Sequence, residues 1–159
     1  MKAFVFPGQG SQKPGMGKEL FNDIPESRNL FKEANKILNF NITELMFEGT
    51  SEDLLQTKVT QPAIFIHSVI SALISKSFKP NVCAGHSLGE FSALVVSNSI
   101  SFRDGLKLVS IRANAMQKAC KETNGSMAAI LGLSDNIVES TCNEIEGIVN
   151  PANYNCPGQ

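Results

Sequence analysis

The sequence predicts an α/β fold built around a largely parallel sheet. Short apolar runs that fit buried strands alternate along the chain with longer segments whose apolar residues recur every three or four positions. This alternation is typical of βαβ units, in which a helix connects two parallel strands. The chain has no internal repeat and no low-complexity segment that would indicate a repetitive or disordered architecture.

Composition sets the broad class. The chain has 159 residues, of which 42% are apolar and 18% charged, as in an ordinary globular domain. Its net charge of −1 predicts neither a nucleic-acid partner nor a membrane partner. Its four cysteines are widely spaced and form no C-x-x-C pair, which favours reduced thiols in a cytoplasmic protein without metal or cofactor. Residues 1–7 lack the apolar core of a signal peptide, and residues 63–74 are too short to cross a bilayer.

The first half of the chain predicts one strand and three helices. The strand covers residues 2–6 and ends in a polar, glycine-rich loop at 7–12. Helical periodicity then marks residues 26–38, 42–47 and 59–77. Ser51, followed by two acidic residues, is typical of a helix N-cap, and Pro62 is expected in the first turn of the helix 59–77.

The second half predicts further strand and helix pairs. A strand at residues 80–84 precedes a helix at 88–97, and Ser101 with Asp104 predicts the cap of a long helix that ends near Glu122. The helical pattern breaks at 124–126. A strand at 127–131, a helix at 134–145 and a strand at 147–152 follow.

The most informative motif is the pentapeptide G-x-S-x-G at residues 85–89. It lies between the predicted strand and helix, where a sharp turn lifts the serine hydroxyl clear of the sheet edge. A Cβ at either glycine would crowd that turn, and the helix N-terminus favours negative charge at Ser87. This context predicts a nucleophilic Ser87 that forms an acyl-enzyme. The alternative is a capping box, because Ser87 and Glu90 also fit the pattern S-x-x-E.

A second candidate residue is Arg112. It lies in the long helix between Leu108, Met116 and Cys120, whose spacings of eight and four predict an apolar row. A guanidinium on a buried face needs a partner, because desolvating it alone is costly. Periodicity alone favours a buried ion pair, and the alternative is a ligand carboxylate held by two hydrogen bonds.

The two histidines do not complete a catalytic pair with Ser87. His86 precedes the serine in an extended segment, so its side chain is expected to point to the opposite face. His67 lies mid-helix, where a structural role is expected. No histidine follows Ser87 in the sequence.

Together these segments resemble the malonyl-CoA:acyl-carrier-protein transacylases, the acyltransferase family of fatty-acid and polyketide synthesis. The resemblance extends over the whole chain through six motifs in order. They are residues 6–12 (FPGQGSQ), 60–63 (TQPA), 85–90 (GHSLGE), Arg112, 125–129 (GSMAA) and 152–159 (ANYNCPGQ).

The resemblance implies a role for each candidate residue. Ser87 would take malonyl from malonyl-CoA and pass it to the phosphopantetheine thiol of acyl carrier protein. The backbone N–H groups of Gln9 and Leu88 would form the oxyanion hole, Gln61 would line the pocket, and Arg112 would hold the malonyl carboxylate. The implied fold is an α/β-hydrolase-like subdomain, here residues 1–123, with an inserted ferredoxin-like subdomain that begins at 124–159.

The chain departs from the family in length. Family members are roughly twice as long, and their general-base histidine lies in a later segment, so the chain is expected to be the N-terminal part of a transacylase and a poor catalyst alone. The alternatives are a polyketide synthase acyltransferase domain, a serine hydrolase such as a patatin-like lipase, and a non-catalytic remnant. The start at Met1 directly before the first strand favours a free-standing enzyme over a synthase domain.

Overall fold

The computed structural model describes residues 1–122 and 125–159. The chain divides into two compact units, Met1–Thr123 and Asn124–Gln159. The boundary predicted from the sequence falls on residues 123 and 124, which lie outside the described residues.

The described part of the first unit contains a parallel pair of strands and seven helices, which confirms the predicted α/β class. Residues Ala3 and Phe6 of the first strand pair with Val82 and Gly85 of the second. The elements are β1 (Ala3–Phe6), α1 (Lys18–Asp23), α2 (Pro25–Leu38), α3 (Ile42–Glu48), α4 (Ser51–Leu55), α5 (Thr57–Ile74), β2 (Val82–Gly85), α6 (Gly89–Val96) and α7 (Phe102–Glu122). The second unit contains α8 (Asp135–Glu144). Of these helices, α1 was not predicted from the sequence.

The core of the first unit is built around α5, most of whose residues are buried. It packs against α7, α6, α4, α2 and α3. Because these helices cover the middle of α5, that part of the helix needs no polar face toward water. Phe65, Ile66, Val69 and Ile70 are fully buried, and each contributes about 1.5–3 kcal/mol by leaving water. None of the helices in the described part of the chain is both long and apolar enough to cross a membrane.

Two predictions about the beginnings of helices are corrected, and a third is confirmed. The N-cap of α4 is Thr50 rather than Ser51, because Thr50 and Asp53 form a reciprocal capping box. Pro62 lies inside α5 beyond its first turn. There it leaves the carbonyl of Lys58 without its helical donor, and Lys58 is exposed, so water can bind that carbonyl. Ser101 caps α7 as predicted: its Oγ accepts from the Asp104 N–H at 3.0 Å.

The predicted apolar row on α7 is wrong. Leu108, Met116 and Cys120 are exposed, and the buried stripe consists instead of Leu106, Val109 and Ala113 with Gly105. Gly105 sets the orientation of α7, because a Cβ there would lie 2.6 Å from Val95 and 2.9 Å from Phe65. That close approach to α5 and α6 turns a different face inward from the one that spacing suggested.

The strands predicted at residues 127–131 and 147–152 are also wrong. Both segments are irregular, and no backbone hydrogen bond joins one to the other within the described residues. Their apolar side chains are largely exposed, with Leu131 at 68% and Ile148 at 96%. An apolar run becomes a strand only when a neighbouring strand accepts its hydrogen bonds. Side chains from both segments, among them Met127, Ile130, Ile148 and Val149, instead line an open groove of about 600 Å³ beside α8.

Candidate active site

The turn between β2 and α6 has the geometry of a strained elbow. Ser87 has φ 55°, in the left-handed region that side chains with a Cβ rarely occupy, which costs of order 1–3 kcal/mol. A Cβ on Gly85 would lie 1.9 Å from the carbonyl carbon of Gly89, and one on Gly89 would lie 2.3 Å from the Phe6 carbonyl oxygen. Both glycines are therefore required by close backbone approach. Strand, turn and helix follow one another as the motif predicts.

The Ser87 hydroxyl does not cap α6. The Glu90 N–H donates to the backbone carbonyl of Ser87 at 3.2 Å, and no side chain caps the helix. Instead, Ser87 Oγ accepts a hydrogen bond from Arg112 Nη2 at 2.8 Å. The capping-box alternative is wrong, and the strained turn presents an exposed hydroxyl to a cation from another helix.

Arg112 is half-buried on α7 and uses its guanidinium fork on two neutral acceptors. Besides Ser87, its Nη1 donates to Gln61 Oε1 at 2.6 Å. Among the described residues, no carboxylate lies within ion-pair distance of Arg112. The ion pair that periodicity favoured is therefore not seen in the described chain. A cation held only by neutral groups keeps its full affinity for an anion.

Gln61 is a fully buried polar residue on α5. Its Oε1 accepts from Arg112, and its Nε2 donates to the thioether sulfur of Met116 at 3.2 Å. Both ends of the amide are thus satisfied, as a buried polar group requires. Sequence reasoning missed Met116, which it counted only as a member of an apolar row.

The loop after β1 lies directly against the elbow. A Cβ on Gly8 would be 2.7 Å from His86 Nδ1 and 2.9 Å from the His86 carbonyl oxygen, and the His86 N–H donates to the Phe6 carbonyl at 3.0 Å. Gln9 lies next to Gly8 in this loop, and Leu88 follows Ser87 in the elbow. Neither the Gln9 N–H nor the Leu88 N–H donates a hydrogen bond to another described residue. The two amides that the resemblance singled out thus lack an acceptor among the described residues, although Gln9 is exposed and Leu88 is fully buried.

The hydrogen bond seen at the Ser87 hydroxyl comes from Arg112. The His86 ring instead packs over Gly8. His67, half-buried on α5, has its pKa lowered by burial and, secondarily, by the positive charge of Lys13. At neutral pH the His67 imidazole is therefore uncharged. The described residues also contain no group of three or more metal-ligating side chains.

Residues 3–159 match the protein family described as the acyl transferase domain. The chain belongs to the acyl transferase domain family. Its similarity to individual members is high along its whole length. Over 160 residues it is 42% identical to a malonyl-CoA-acyl carrier protein transacylase of Staphylococcus aureus, and over 162 residues it is 43% identical to that of Bacillus subtilis. Each alignment covers 99% of this chain, but 52% and 51% of the relatives.

Solved acyltransferase structures agree in fold. The chain superimposes on MCAT from Streptococcus pneumoniae with a TM-score of 0.86 at 37% identity, covering 98% of this chain and 52% of that one. A malonyl-transacylase in complex with its type II polyketide acyl-carrier protein gives a TM-score of 0.84 at 36% identity, with the same coverage of both chains. The chain therefore spans about half the length of the relatives it matches.

In this acyl transferase domain, the geometry places three chemical elements together. Ser87 offers a nucleophile, Arg112 offers a cation 2.8 Å from it, and the loop carrying Gln9 lies against the turn carrying Leu88. A cation at this distance can pair with a carboxylate on an acyl group attached to Ser87, and open amides can bind the oxyanion of a tetrahedral intermediate.

Proposed function

We propose that this chain carries the acylation site of a malonyl-CoA:acyl-carrier-protein transacylase. Ser87 Oγ attacks the thioester carbonyl of malonyl-CoA, so that a C–O bond forms, the C–S bond breaks and coenzyme A leaves as the thiol. The thiol of the phosphopantetheine arm of acyl carrier protein then attacks the Ser87 ester and releases the serine. The names of the relatives, which share 42–43% of their aligned residues with this chain, support both substrates.

The observation that carries this proposal is the Arg112 contact. A malonyl group bears its carboxylate one methylene away from the carbonyl that Ser87 attacks, so the carboxylate must lie beside the serine. Arg112 Nη2 lies 2.8 Å from Ser87 Oγ, and its charge meets no described carboxylate. Hydrogen bonds between charged groups contribute about 1.5–3 kcal/mol each, enough to select a dicarboxylic acyl group.

The remaining roles follow from the same pocket. The N–H groups of Gln9 and Leu88, which have no acceptor among the described residues, stabilise the oxyanion that forms at the attacked carbonyl. Gln61 lines the pocket and holds Arg112 from behind. Because Ser87 accepts from Arg112, its own hydroxyl proton remains available to a general base, which the described residues do not supply.

The proposal also includes the type of each subdomain, the pathway in which the reaction occurs and its cellular compartment. We assign residues 1–123 to an α/β-hydrolase-like subdomain and residues 124–159 to the beginning of a ferredoxin-like one. The solved malonyl-transacylases that the chain resembles, and the compact units that meet at the same position, support this division. The reaction is placed in fatty-acid biosynthesis in the cytoplasm, where coenzyme A esters and carrier proteins are used.

A serine hydrolase with the same pentapeptide is the competing function. Such an enzyme also needs an elbow serine and an oxyanion hole. It has no use for an unpaired guanidinium beside the serine, because a neutral ester offers no anion to it. The Arg112–Ser87 contact therefore favours transfer of a carboxylate-bearing acyl group.

Intact-mass spectrometry after incubation with malonyl-CoA tests the proposal. The parent chain is expected to gain one malonyl group, slowly because the contact seen at Ser87 is with Arg112 rather than with a base, and Ser87→Ala is expected to gain none. Ser97→Ala removes an exposed serine at the end of α6 and is expected to label like the parent. Equal labelling of Ser87→Ala, or faster reaction with simple neutral esters than with malonyl-CoA, would rule the assignment out.

A further inference from the structure

We infer that Met116 is a positioning residue that fixes the side-chain amide of Gln61 and, through it, the guanidinium of Arg112. This inference rests on the proposed function, because it concerns how the same site selects its acyl group. It starts from the contact between Gln61 Nε2 and Met116 Sδ, at 3.2 Å.

The chemistry of the two neighbours leaves the Gln61 amide a single orientation. A thioether sulfur accepts hydrogen bonds and cannot donate them, and a guanidinium donates and cannot accept. The NH₂ end must therefore face Met116 and the oxygen must face Arg112. The reverse orientation would place donor against donor and acceptor against acceptor. Since Gln61 is fully buried, water cannot relieve that mismatch.

Two further hydrogen bonds connect the Gln61 amide to Ser87 through Arg112. Gln61 Oε1 accepts from Arg112 Nη1 at 2.6 Å, and the other arm of the same rigid fork, Nη2, donates to Ser87 Oγ at 2.8 Å. Guanidinium nitrogens lie in one plane, so holding one arm aims the other. Without the sulfur, the NH₂ end of the buried amide would lose its acceptor, and Arg112 would be the one remaining partner that holds Gln61 among the described residues.

Helix geometry makes this arrangement compact. Met116 follows Arg112 by four residues on α7, so the two side chains lie on one face of that helix, and both reach the same residue of α5. The Met116 side chain is 39% exposed, which is unusual for a thioether that only fills a core. Its sulfur therefore does more here than add buried apolar area.

Met116→Leu tests the inference, because leucine keeps similar volume and removes the acceptor. Initial acylation rates of Ser87 are measured with malonyl-CoA and with acetyl-CoA. Loss of one neutral hydrogen bond predicts a three- to tenfold fall in the malonyl rate, roughly, with the acetyl rate unchanged. Leu108→Met exchanges the same residue types on the same helix at a similarly exposed position, and both rates are expected to stay at the parent values.

A double-mutant cycle separates positioning from general packing. If Met116 acts through Gln61, Met116→Leu has no further effect on the malonyl rate in a Gln61→Leu background. A fall of the same size in both backgrounds, or equal falls for malonyl and acetyl, would overturn the inference. No acylation of the parent chain would overturn the proposed function and this inference with it.

An NMR measurement gives a readout that does not depend on catalysis. The side-chain amide protons of Gln61 are expected to shift in Met116→Leu and to exchange faster with solvent. Those of Asn35, whose Nδ2 donates to Thr43 Oγ1 at 2.8 Å in another part of the unit, serve as the internal control and are expected to stay unchanged. Unchanged Gln61 amide resonances in Met116→Leu would contradict the inference even if acylation rates fell.

Discussion

At the scale of single residues, the site depends on a cation whose acceptors are all neutral. Arg112 Nη1 donates to the side-chain oxygen of Gln61 and Nη2 donates to the hydroxyl of Ser87. A bound carboxylate can take the place of either acceptor or bind beside it. A carboxylate partner within the protein would have competed with the acyl group. In the proposed function, the selectivity of the site depends on Arg112 being held without being neutralised.

Replacing Arg112 should change which acyl group reacts. Arg112→Ala is expected to lower acylation by malonyl-CoA on the order of a hundredfold or more, since charged hydrogen bonds of about 1.5–3 kcal/mol each are lost. Acylation by acetyl-CoA should be spared or improved. Arg103→Ala is the matched control on the same helix, because Arg103 forms only an exposed ion pair with Glu33. Equal losses for both acyl groups in Arg112→Ala would make Arg112 structural.

His67 should make the chain less stable in mild acid. Burial lowers its pKa in the folded chain, so the unfolded chain binds a proton at a higher pH than the folded one does. The free energy of unfolding is therefore unaffected by His67 above about pH 6.5 and falls as the pH drops below it, by at most about 1.4 kcal/mol per pH unit. Urea unfolding between about pH 7.5 and 5.5 should show a shallower fall for His67→Gln. An identical pH profile in the variant would contradict this.

At the scale of secondary-structure elements, tight helix packing explains both the elbow and the core. Gly89 lets α6 begin against the carbonyl of Phe6, and Gly105 lets α7 approach Val95 and Phe65. Hydroxyls that such packing buries need hydrogen-bond partners within the protein. Ser27 Oγ lies 2.6 Å from the Leu20 carbonyl and 2.8 Å from the Ile24 carbonyl, whereas Ser92 Oγ has no partner among the described residues.

These two serines should respond to alanine in opposite directions. Ser92→Ala removes an unpaired buried hydroxyl and is expected to raise the free energy of unfolding by about 1 kcal/mol. Ser27→Ala removes the hydroxyl that bonds the Leu20 and Ile24 carbonyls, each of which keeps a backbone N–H donor, and is expected to lower it by about 0.5–1.5 kcal/mol. Chemical denaturation of the two variants beside the parent is the measurement. A loss of stability in Ser92→Ala would show that its hydroxyl has a partner.

At the scale of the whole molecule, the two units differ in what they bury. Every buried side chain among the described residues lies in the first unit, whereas the second has none, although it contains apolar residues such as Ile148 and Leu131. A segment without buried apolar area cannot offset the entropy lost on ordering. Exposed apolar groups of this kind also favour association between chains.

Amide hydrogen exchange should show this difference directly. Amides of α5 are expected to exchange through global unfolding, because the helix is buried on nearly all sides. Amides of residues 125–159 are expected to exchange at nearly unprotected rates, including those of α8, which contains no buried residue. Mass spectrometry of peptides from each region measures both. Protection in the second unit equal to that of α5 would mean that other surfaces cover it in solution, and size-exclusion chromatography would then identify a dimer.

Much of the local structure was determined by the sequence alone. Periodicity predicted α2, α3 and α8 within a residue or two, because amphipathic spacing and caps act over a few residues. The glycines of the pentapeptide required a sharp turn, and the structure has one. The roles of Gln9, Gln61 and Leu88 came only from the resemblance to a family, which also favoured the carboxylate-binding role among the two weighed for Arg112, and all of them stay proposals.

Tertiary structure decided what local patterns could not. The inward face of α7 depended on how closely Gly105 approaches α5 and α6, so the row around Arg112 was misread. The apolar runs at 127–131 and 147–152 had strand composition but no neighbouring strand to pair with. The contact of Met116 with Gln61 joins residues 55 positions apart, and nothing in either local pattern indicates it. Spacing reports which residues share a face, whereas packing decides what that face meets.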